Sequence, residues 1–278
     1  MTTSSNRVVG HMRSSARVGE WVRAQGGRGR GSSAVWLLAA LLLGWALSAR
    51  AQVSIGLESG VVMSGYNDVR VPKTAGAVLS LSQDLSTTSK LFVRLRLSYG
   101  FAQRHVLSLL VAPLRLQASG AVDRPVHFAG TDFHAQVPLS ASYRFDSYRL
   151  TYRYLLDNAG AVRLAVGLTA KVRDAAIRLQ ARGLSGETTN TGFVPLLSGR
   201  LQWQPGRRLG LVVDADALAA PQGRAEDVLV ALTWAASRHL QAYGGYRLLE
   251  GGADVEQVYN FALLHYLSLG AVWTFCAR

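Results

Sequence analysis

The sequence predicts an all-β domain that follows an export leader. Apolar and polar residues alternate with a period of two from Gln52 almost to the C-terminus, and turn residues separate the alternating segments. The same region holds no convincing long amphipathic helix and no apolar run long enough to cross a bilayer as a helix. With 278 residues, 49% hydrophobic and 17% charged, the chain can form one folded domain, so a disordered chain is excluded.

The formal net charge of +13 is concentrated near the N-terminus. Residues 1–51 carry seven Arg and one Glu, which leaves 30 − 7 = 23 bases and 17 − 1 = 16 acids in the rest of the chain. Those remaining bases are spread singly through apolar alternation and form no basic run. We therefore expect no nucleic-acid partner.

Residues 1–51 have the three parts of a secretory signal peptide. A basic, Gly- and Ser-rich lead precedes the 15-residue apolar run AVWLLAALLLGWALS, and Ala49 and Ala51 form a small-x-small cleavage pattern before Gln52. The run is shorter than the about 20 residues that a transmembrane helix needs. We expect a lead and signal peptide at 1–51 and a barrel domain at 52–278; an uncleaved anchor is the alternative.

Periodicity predicts about twelve strands, and counts of ten or fourteen stay open. The region 119–136 is the main reason, because it could hide another hairpin. One predicted hairpin turns at Phe145-Asp146-Ser147. The predicted strands are 52–66, 75–83, 91–101, 105–118, 137–145, 147–156, 161–180, 192–204, 208–217, 227–236, 239–249 and 258–275.

The stretch LFVRLRLSYGF, from Leu91 to Phe101, shows the character of these strands. Leu91 and every second residue after it form an apolar face, while Arg94 and Arg96 lie on the other face. In a soluble sandwich the leucines would face a protein core, whereas in a membrane barrel they would face lipid. Both arrangements fit this stretch alone.

Connection lengths favour the membrane barrel. Counted backward from the C-terminus, the long polar connections 183–191, 218–226 and 250–257 fall on one side, and short turns fall on the other. We expect acidic residues near the long-loop side, where they would pair with arginines; Ca²⁺ binding is the alternative. They are Asp68, Asp174, Glu226, Asp227, Glu250 and Asp254.

Three tryptophans favour the same arrangement. Trp203, Trp234 and Trp273 each lie near the end of a strand that descends to the short-turn side, on its apolar face. Amphipathic rings collect at the headgroup level of a membrane, so this shared height predicts a periplasmic aromatic girdle.

With these features the chain resembles the outer-membrane β-barrel proteins of Gram-negative bacteria. The last segment, VYNFALLHYLSLGAVWTF, is similar to the C-terminal insertion signal of that class, although Cys276-Ala277-Arg278 follow the final aromatic residue. The resemblance implies an antiparallel up-and-down transmembrane barrel in the bacterial outer membrane. It also implies contact with membrane lipid and lipopolysaccharide, and with the barrel-insertion machinery during assembly.

In such a barrel the charged positions on the polar faces would line the lumen, because charges in hydrocarbon are costly. Ten bases and two acids meet this description. They are Arg94, Arg96, Arg144, Arg149, Arg153, Arg163, Lys171, Arg173, Arg200, Asp214, Asp216 and Arg247.

An arginine-rich lumen predicts a narrow passive channel for small anionic or polar solutes. The alternative is a barrel plugged by acids that fold in from the outer loops, with a structural or surface-interaction role. A lipid hydrolase is a further alternative, since His105 with Ser108 and His265 with Ser268 are near pairs. A separation of three puts each pair on opposite faces of its strand, and metal-ligand and phosphate-loop spacings are absent, so we predict no catalytic, metal or cofactor site.

Overall fold

The computed structural model describes residues 52–74, 77–157, 160–221 and 223–276. The predicted leader and the last two residues therefore lie outside the described residues. The described chain is all β. Within these ranges no helix is long and apolar enough to cross a membrane.

The described chain contains fifteen strands. In chain order they are β1 (Gln52–Arg70), β2 (Leu79–Ser80), β3 (Ser86–Thr87), β4 (Lys90–Phe101), β5 (His105–Ala112), β6 (Arg115–Ala121), β7 (Val126–Phe128), β8 (Thr131–Phe133), β9 (Pro138–Asp157), β10 (Val162–Ala181), β11 (Leu184–Trp203), β12 (Leu209–Ala220), β13 (Gly223–Ala235), β14 (Leu240–Val255) and β15 (Val258–Cys276).

The long strands close into a ten-stranded antiparallel barrel. The first strand completes the ring, because β1 pairs with β15 on one side and with β4 on the other. From β9 to β15 each strand pairs with the next along the chain. The predicted all-β antiparallel barrel is thereby confirmed.

One wall position is filled by two strands in series, β5 and β6. Both pair with β9, β5 opposite residues 147–154 and β6 opposite residues 138–144. Pro113 lies at the break between them and has no N–H to donate to a ladder. The Asp146 side chain fills part of the gap, since its Oδ1 accepts a 3.1 Å hydrogen bond from the amide of Leu114.

The wall holds ten strands, one of the counts that the sequence left open, and two predicted strands account for the difference from twelve. The described part of the predicted strand 75–83 supplies no wall strand; within residues 77–83 only Leu79–Ser80 is extended, and it pairs with the cap end of β1. The predicted strands 137–145 and 147–156 are one continuous strand, β9, and no hairpin forms at Phe145-Asp146-Ser147. The polar residues at 146 and 147 continue the ladder, because residues 145–147 pair with 173–175 of β10.

The two ends of the barrel differ. At the end that holds Gln52 and Cys276, called the terminus end, short turns join the strands. At the opposite end, residues 71–89 and 122–137 form the two longest connections; their described residues are called the cap. The predicted loops 183–191, 218–226 and 250–257 are largely strand, since β10 to β15 extend through most of their residues.

The outer surface of the barrel carries an exposed apolar belt. Along β4 the odd-numbered residues point outward, and Leu91 is 78% exposed whereas inward Arg94 is 4% exposed. The same alternation places large apolar side chains on the outside of β5, β9, β10, β13 and β15. A closed barrel in lipid must present such a surface, so the leucine face of LFVRLRLSYGF is the lipid face.

The apolar core lies inside the barrel at the cap end. Side chains from the cap, including Leu79, Leu81, Phe128 and Phe133, pack in one buried cluster with inward residues of the wall such as Leu264. Two hydrogen bonds between segments fix the cap: Leu81 N donates to Asn67 O at 2.7 Å, and Ala129 N donates to Val71 O at 3.0 Å. Packed hydrocarbon therefore occupies much of the cap end of the lumen, beside a cavity of about 110 Å³ that Arg173, Asn190 and Ala253 help to line.

Candidate functional site in the barrel interior

Below the apolar cluster, the barrel interior holds a layer of buried charges. Nine of the sequence-predicted lumen residues project inward on alternating wall positions. They are Arg94, Arg96, Arg149, Arg153, Lys171, Arg200, Asp214, Asp216 and Arg247.

The part of this layer nearer the cap centres on Asp227 and Glu58. Asp227 Oδ2 accepts hydrogen bonds from Arg94 Nη2 at 3.0 Å and Arg149 Nη2 at 2.6 Å, and its other oxygen accepts from Arg247. Arg247 also binds Glu58 with two nitrogens, each at 2.8 Å. Ser268 donates to Glu58 at 2.9 Å. Three arginines therefore share two carboxylates.

The part nearer the terminus end centres on Asp214 and Asp216. Arg153 donates to both oxygens of Asp214, at 3.1 and 2.8 Å, and Arg200 donates to Asp214 at 2.7 Å. Asp216 accepts from Ser198 at 2.5 Å and from Arg149 at 3.0 Å. Arg149 thus joins the two parts into one unit, here called the central network.

Burial explains why charges of opposite sign are so closely paired in the central network. The side chains of Arg149, Asp216 and Asp227 are each no more than 2% exposed. A buried charge without a partner costs several kcal/mol, so such groups persist only when hydrogen bonds and opposite charges compensate them. The network therefore crosses the barrel interior as a buried layer of ion pairs.

Lys171 lies beside this layer without an ion pair in the part of the chain that the structure describes. Its side chain is buried, and Nζ lies 5.0 Å from the centroid of the Phe145 ring. An ammonium group over an aromatic face is attracted by the ring quadrupole. Lys171 thus joins the charged layer to the apolar cluster above it.

Between the network and the terminus end the interior opens into a cavity of about 240 Å³. Arg96, Arg153, Arg163 and Arg200 line it together with serine, threonine and glutamine side chains. A single water molecule needs roughly 10–15 Å³ of cavity volume, so a cavity of this size holds solvent. We call it the terminus-end cavity.

Three predicted lumen residues lie away from the central network. Arg163 lies at the cavity mouth, and Arg173 lies near the cap end, where its Nη2 contacts Asn190 Oδ1. Arg144 is not a lumen residue: Tyr143 points into the apolar cluster, and Arg144 bonds Asp174 Oδ1 at 3.1 Å on the outer face. The sequence predicted Arg144 in the lumen because it placed a strand break near residue 145. Since β9 is continuous, alternation from inward Arg149 puts Arg144 on the outer face.

The predicted lumen residues lacked two acids of the network, Asp227 and Glu58. Asp227 was expected in an outer loop, but it lies within β13 and is 3% exposed. Glu58 was not singled out, although Ile55 and Leu57 face outward and the same alternation puts Glu58 inside. Reading that strand's polar face would have found it.

The other predicted loop acids lie outside the barrel lumen, on strands that extend toward the cap end. Glu250 binds Arg224 and accepts from the Tyr66 hydroxyl, and Asp254 pairs with Lys73 at 2.5 Å. Asp68 lies in β1 and Glu226 in β13, both partly buried. Among the described residues, no group of three or more His, Cys, Asp or Glu side chains is arranged to hold a metal ion.

The three predicted girdle tryptophans lie at one height. Trp203, Trp234 and Trp273 are about half exposed, and each pairs with the first residue of an adjacent strand: Val162, Leu209 and Leu240 respectively. They therefore ring the terminus end of the apolar belt.

The two His and Ser pairs do not come together. His105 Nδ1 lies 2.8 Å from the Tyr152 hydroxyl, and Ser108 donates to Ser98 at 2.9 Å. His265 bonds Tyr246 on the outer face, while Ser268 bonds Glu58 inside. No histidine bonds a serine among the described residues, so a base is not positioned to activate either hydroxyl.

Known structures share this architecture. OmpT, an outer-membrane protease of Escherichia coli, aligns with a TM-score of 0.53 and 11% identity over 81% of this chain and 97% of its own. The fold is that of an outer-membrane β-barrel. The likeness to OmpT concerns the fold alone, and the Gram-negative outer-membrane location expected from the sequence agrees with it.

Two further barrels align less closely. Ail, the attachment invasion locus protein of Yersinia pestis, has a TM-score of 0.37 and 14% identity over 81% of this chain and 99% of its own. The translocator domain of the autotransporter NalP from Neisseria meningitidis has a TM-score of 0.41 and 11% identity over 88% and 96%. No family model and no curated protein matches the chain.

Proposed function

We propose that this outer-membrane barrel is closed and acts through the surfaces at its two ends rather than by passing solutes. The single observation that carries the proposal is the filled interior. Packed hydrocarbon occupies much of the cap end, and the central network occupies the middle, with its key side chains almost wholly buried.

The same observation argues against the passive anion channel that the arginine content favours. Such a channel needs unpaired cations along a wet path. Here the arginines of the central network form ion pairs with four carboxylates, those of Glu58, Asp214, Asp216 and Asp227. The arginines join the walls together instead of facing a solvent column.

The cap end supplies the outward contact surface. Arg124 from one cap segment binds Asp84 from the other with two hydrogen bonds, at 3.1 and 2.6 Å. The β7–β8 hairpin is tied to the wall, since Thr131 Oγ1 donates to Ser185 O at 3.2 Å. An ordered cap of this kind suits a structural or surface-interaction role at the cell exterior.

A liposome-swelling assay tests the proposal. Full-length protein purified from outer membranes is reconstituted beside a general porin, and swelling is followed in small neutral sugars and in small organic anions. We expect swelling at the rate of protein-free liposomes in both solutes. Rapid swelling that is faster for the anions would restore the channel and overturn the closed barrel.

A further inference from the structure

We infer that the terminus-end cavity is a binding site for a small soluble oxyanion of the phosphate type. The inference goes beyond a closed barrel, because it assigns a ligand class to the solvent-filled cavity between the central network and the terminus end. It concerns a dead-end pocket that opens at the terminus end, which faces the periplasm in a barrel of this orientation.

The cavity is strongly one-sided in charge. Four arginines, Arg96, Arg153, Arg163 and Arg200, line it, and no acid is among its described lining residues. Two carboxylates of the central network contact these arginines: Asp214 accepts hydrogen bonds from Arg153 and Arg200, and Asp216 accepts one from Arg153. Two positive charges are therefore left over at the cavity wall.

Arg96 is the key residue of the site. It makes no hydrogen bond or ion pair to any described residue, and it lines both the terminus-end cavity and the smaller cavity beside Asp214. The carboxylate of Asp214 attracts it without bonding it, while the guanidinium groups of Arg153 and Arg200 lie near enough to repel it. A bound dianion would relieve this repulsion, because guanidinium groups bind oxyanions with paired, charge-assisted hydrogen bonds.

The remaining wall completes an oxyanion site. Arg153 and Arg200 are held in place by Asp214, so their orientation does not have to be fixed when a ligand binds. Ser98, Gln202 and Thr274 supply neutral donors around the cavity. A cavity of about 240 Å³ has room for a phosphate group with a few waters.

Isothermal titration calorimetry with inorganic phosphate tests the site on the full chain in detergent. We expect saturable binding by the wild-type protein and binding weakened about tenfold or more by R96Q. The matched control is R238Q, which removes an exposed arginine in the turn between β13 and β14, outside the cavity lining. That control is expected to bind phosphate as the wild type does.

A second variant keeps the test decisive if R96Q folds poorly. Gln202→Glu leaves all four arginines in place and adds a negative charge to the cavity wall, so it should also weaken binding. Folding of each variant is verified by its heat-modifiable gel mobility. The absence of phosphate binding by folded wild-type protein, or equal affinity in R96Q, would overturn the site.

A change of lipid composition distinguishes a soluble anion from a lipid headgroup as the occupant of the site. Phosphate affinity is measured in nanodiscs of phosphatidylcholine and of phosphatidylglycerol. Equal affinity assigns the site to soluble anions, whereas affinity lost only in phosphatidylglycerol would show that headgroups occupy it and would overturn the soluble ligand. Failure of the site would leave the swelling result unchanged, so the two proposals fail independently.

Discussion

Asp227 on β13 accepts a 2.6 Å hydrogen bond from Nη2 of Arg149 on β9, although these two strands share no backbone pairing. The bond therefore crosses the barrel interior. Arg149 also reaches Asp216 on β12, and Asp227 also reaches Arg94 on β4. Side chains on separate walls are thus joined where an open pore would hold water.

Removal of the shared carboxylate should destabilise the barrel strongly. Asp227→Ala leaves Arg94, Arg149 and Arg247 short of a buried partner, and breaking buried ion pairs in this way costs about 3–5 kcal/mol. Urea unfolding followed by tryptophan fluorescence measures the loss. Glu226→Ala, at the neighbouring outward position of the same strand, is the control and should unfold within about 0.5 kcal/mol of the wild type. Equal stability of the two variants would contradict a structural central network.

A charge on the outer belt should be costly only at the height of the lipid. Leu168 faces outward midway along β10 between Val162, opposite Trp203, and Asp174, which bonds Arg144. Leu168→Arg should lower the free energy of unfolding in lipid vesicles by about 2–4 kcal/mol. Gln180→Arg, an exposed position beyond the belt on the same strand, should change it by less than about 1 kcal/mol. Equal effects would show that the belt does not face lipid.

The break between β5 and β6 should depend on Asp146. Its carboxylate accepts from the Leu114 amide and pairs with Arg115, so Asp146→Ala leaves that buried amide without its side-chain acceptor. An unsatisfied buried group costs about 1–3 kcal/mol. Asp146→Asn retains an acceptor oxygen and should recover part of the loss in the same urea unfolding measurement. An alanine variant as stable as the wild type would show that Pro113 alone sets the break.

The cap should loosen in acid through Asp84. Burial alone raises the pKa of Asp84, but hydrogen bonds from Arg124 and the Ser80 amide outweigh it, so the folded pKa lies below the ordinary 3.8. Because the folded pKa is depressed, this contribution to stability is complete above pH 3.8 and is lost as the pH falls through the folded pKa. The hydrogen-exchange protection factors of residues 77–89, which correct for the slower intrinsic exchange in acid, should therefore fall as the pH drops through the folded pKa. Asp84→Asn should exchange faster already at neutral pH, and a wild-type profile in that variant would refute the linkage.

Local alternation predicted much of the wall, because each strand's two faces meet different surroundings. The same rule that puts Leu95 outside puts Arg94 inside, and it needs no knowledge of neighbouring strands. It failed where a polar pair was taken for a turn: Asp146 and Ser147 continue β9, and the false break reversed the side assigned to Arg144. Consecutive polar residues are typical of turns, so a long strand that contains such a pair resembles two strands joined by a turn in the sequence.

The pairing inside the barrel lay beyond local pattern. Arg149 and Asp227 meet because β9 and β13 lie across the closed ring from each other, and closure depends on the number and register of all ten strands. A count of twelve would have placed other walls opposite Arg149. The predicted lumen residues did not include Glu58 and Asp227. The sequence therefore predicted an excess of bases in the lumen, which favoured a channel.

Single-channel conductance in a planar bilayer tests the closed interior most directly. Full-length protein, shown to be folded by its heat-modifiable mobility, is added under a salt gradient. The central network and the packed cap predict a silent membrane at moderate voltage. Discrete conductance steps with a reversal potential favouring the anion would contradict this account, and would show that an arginine-lined path stays open through the barrel.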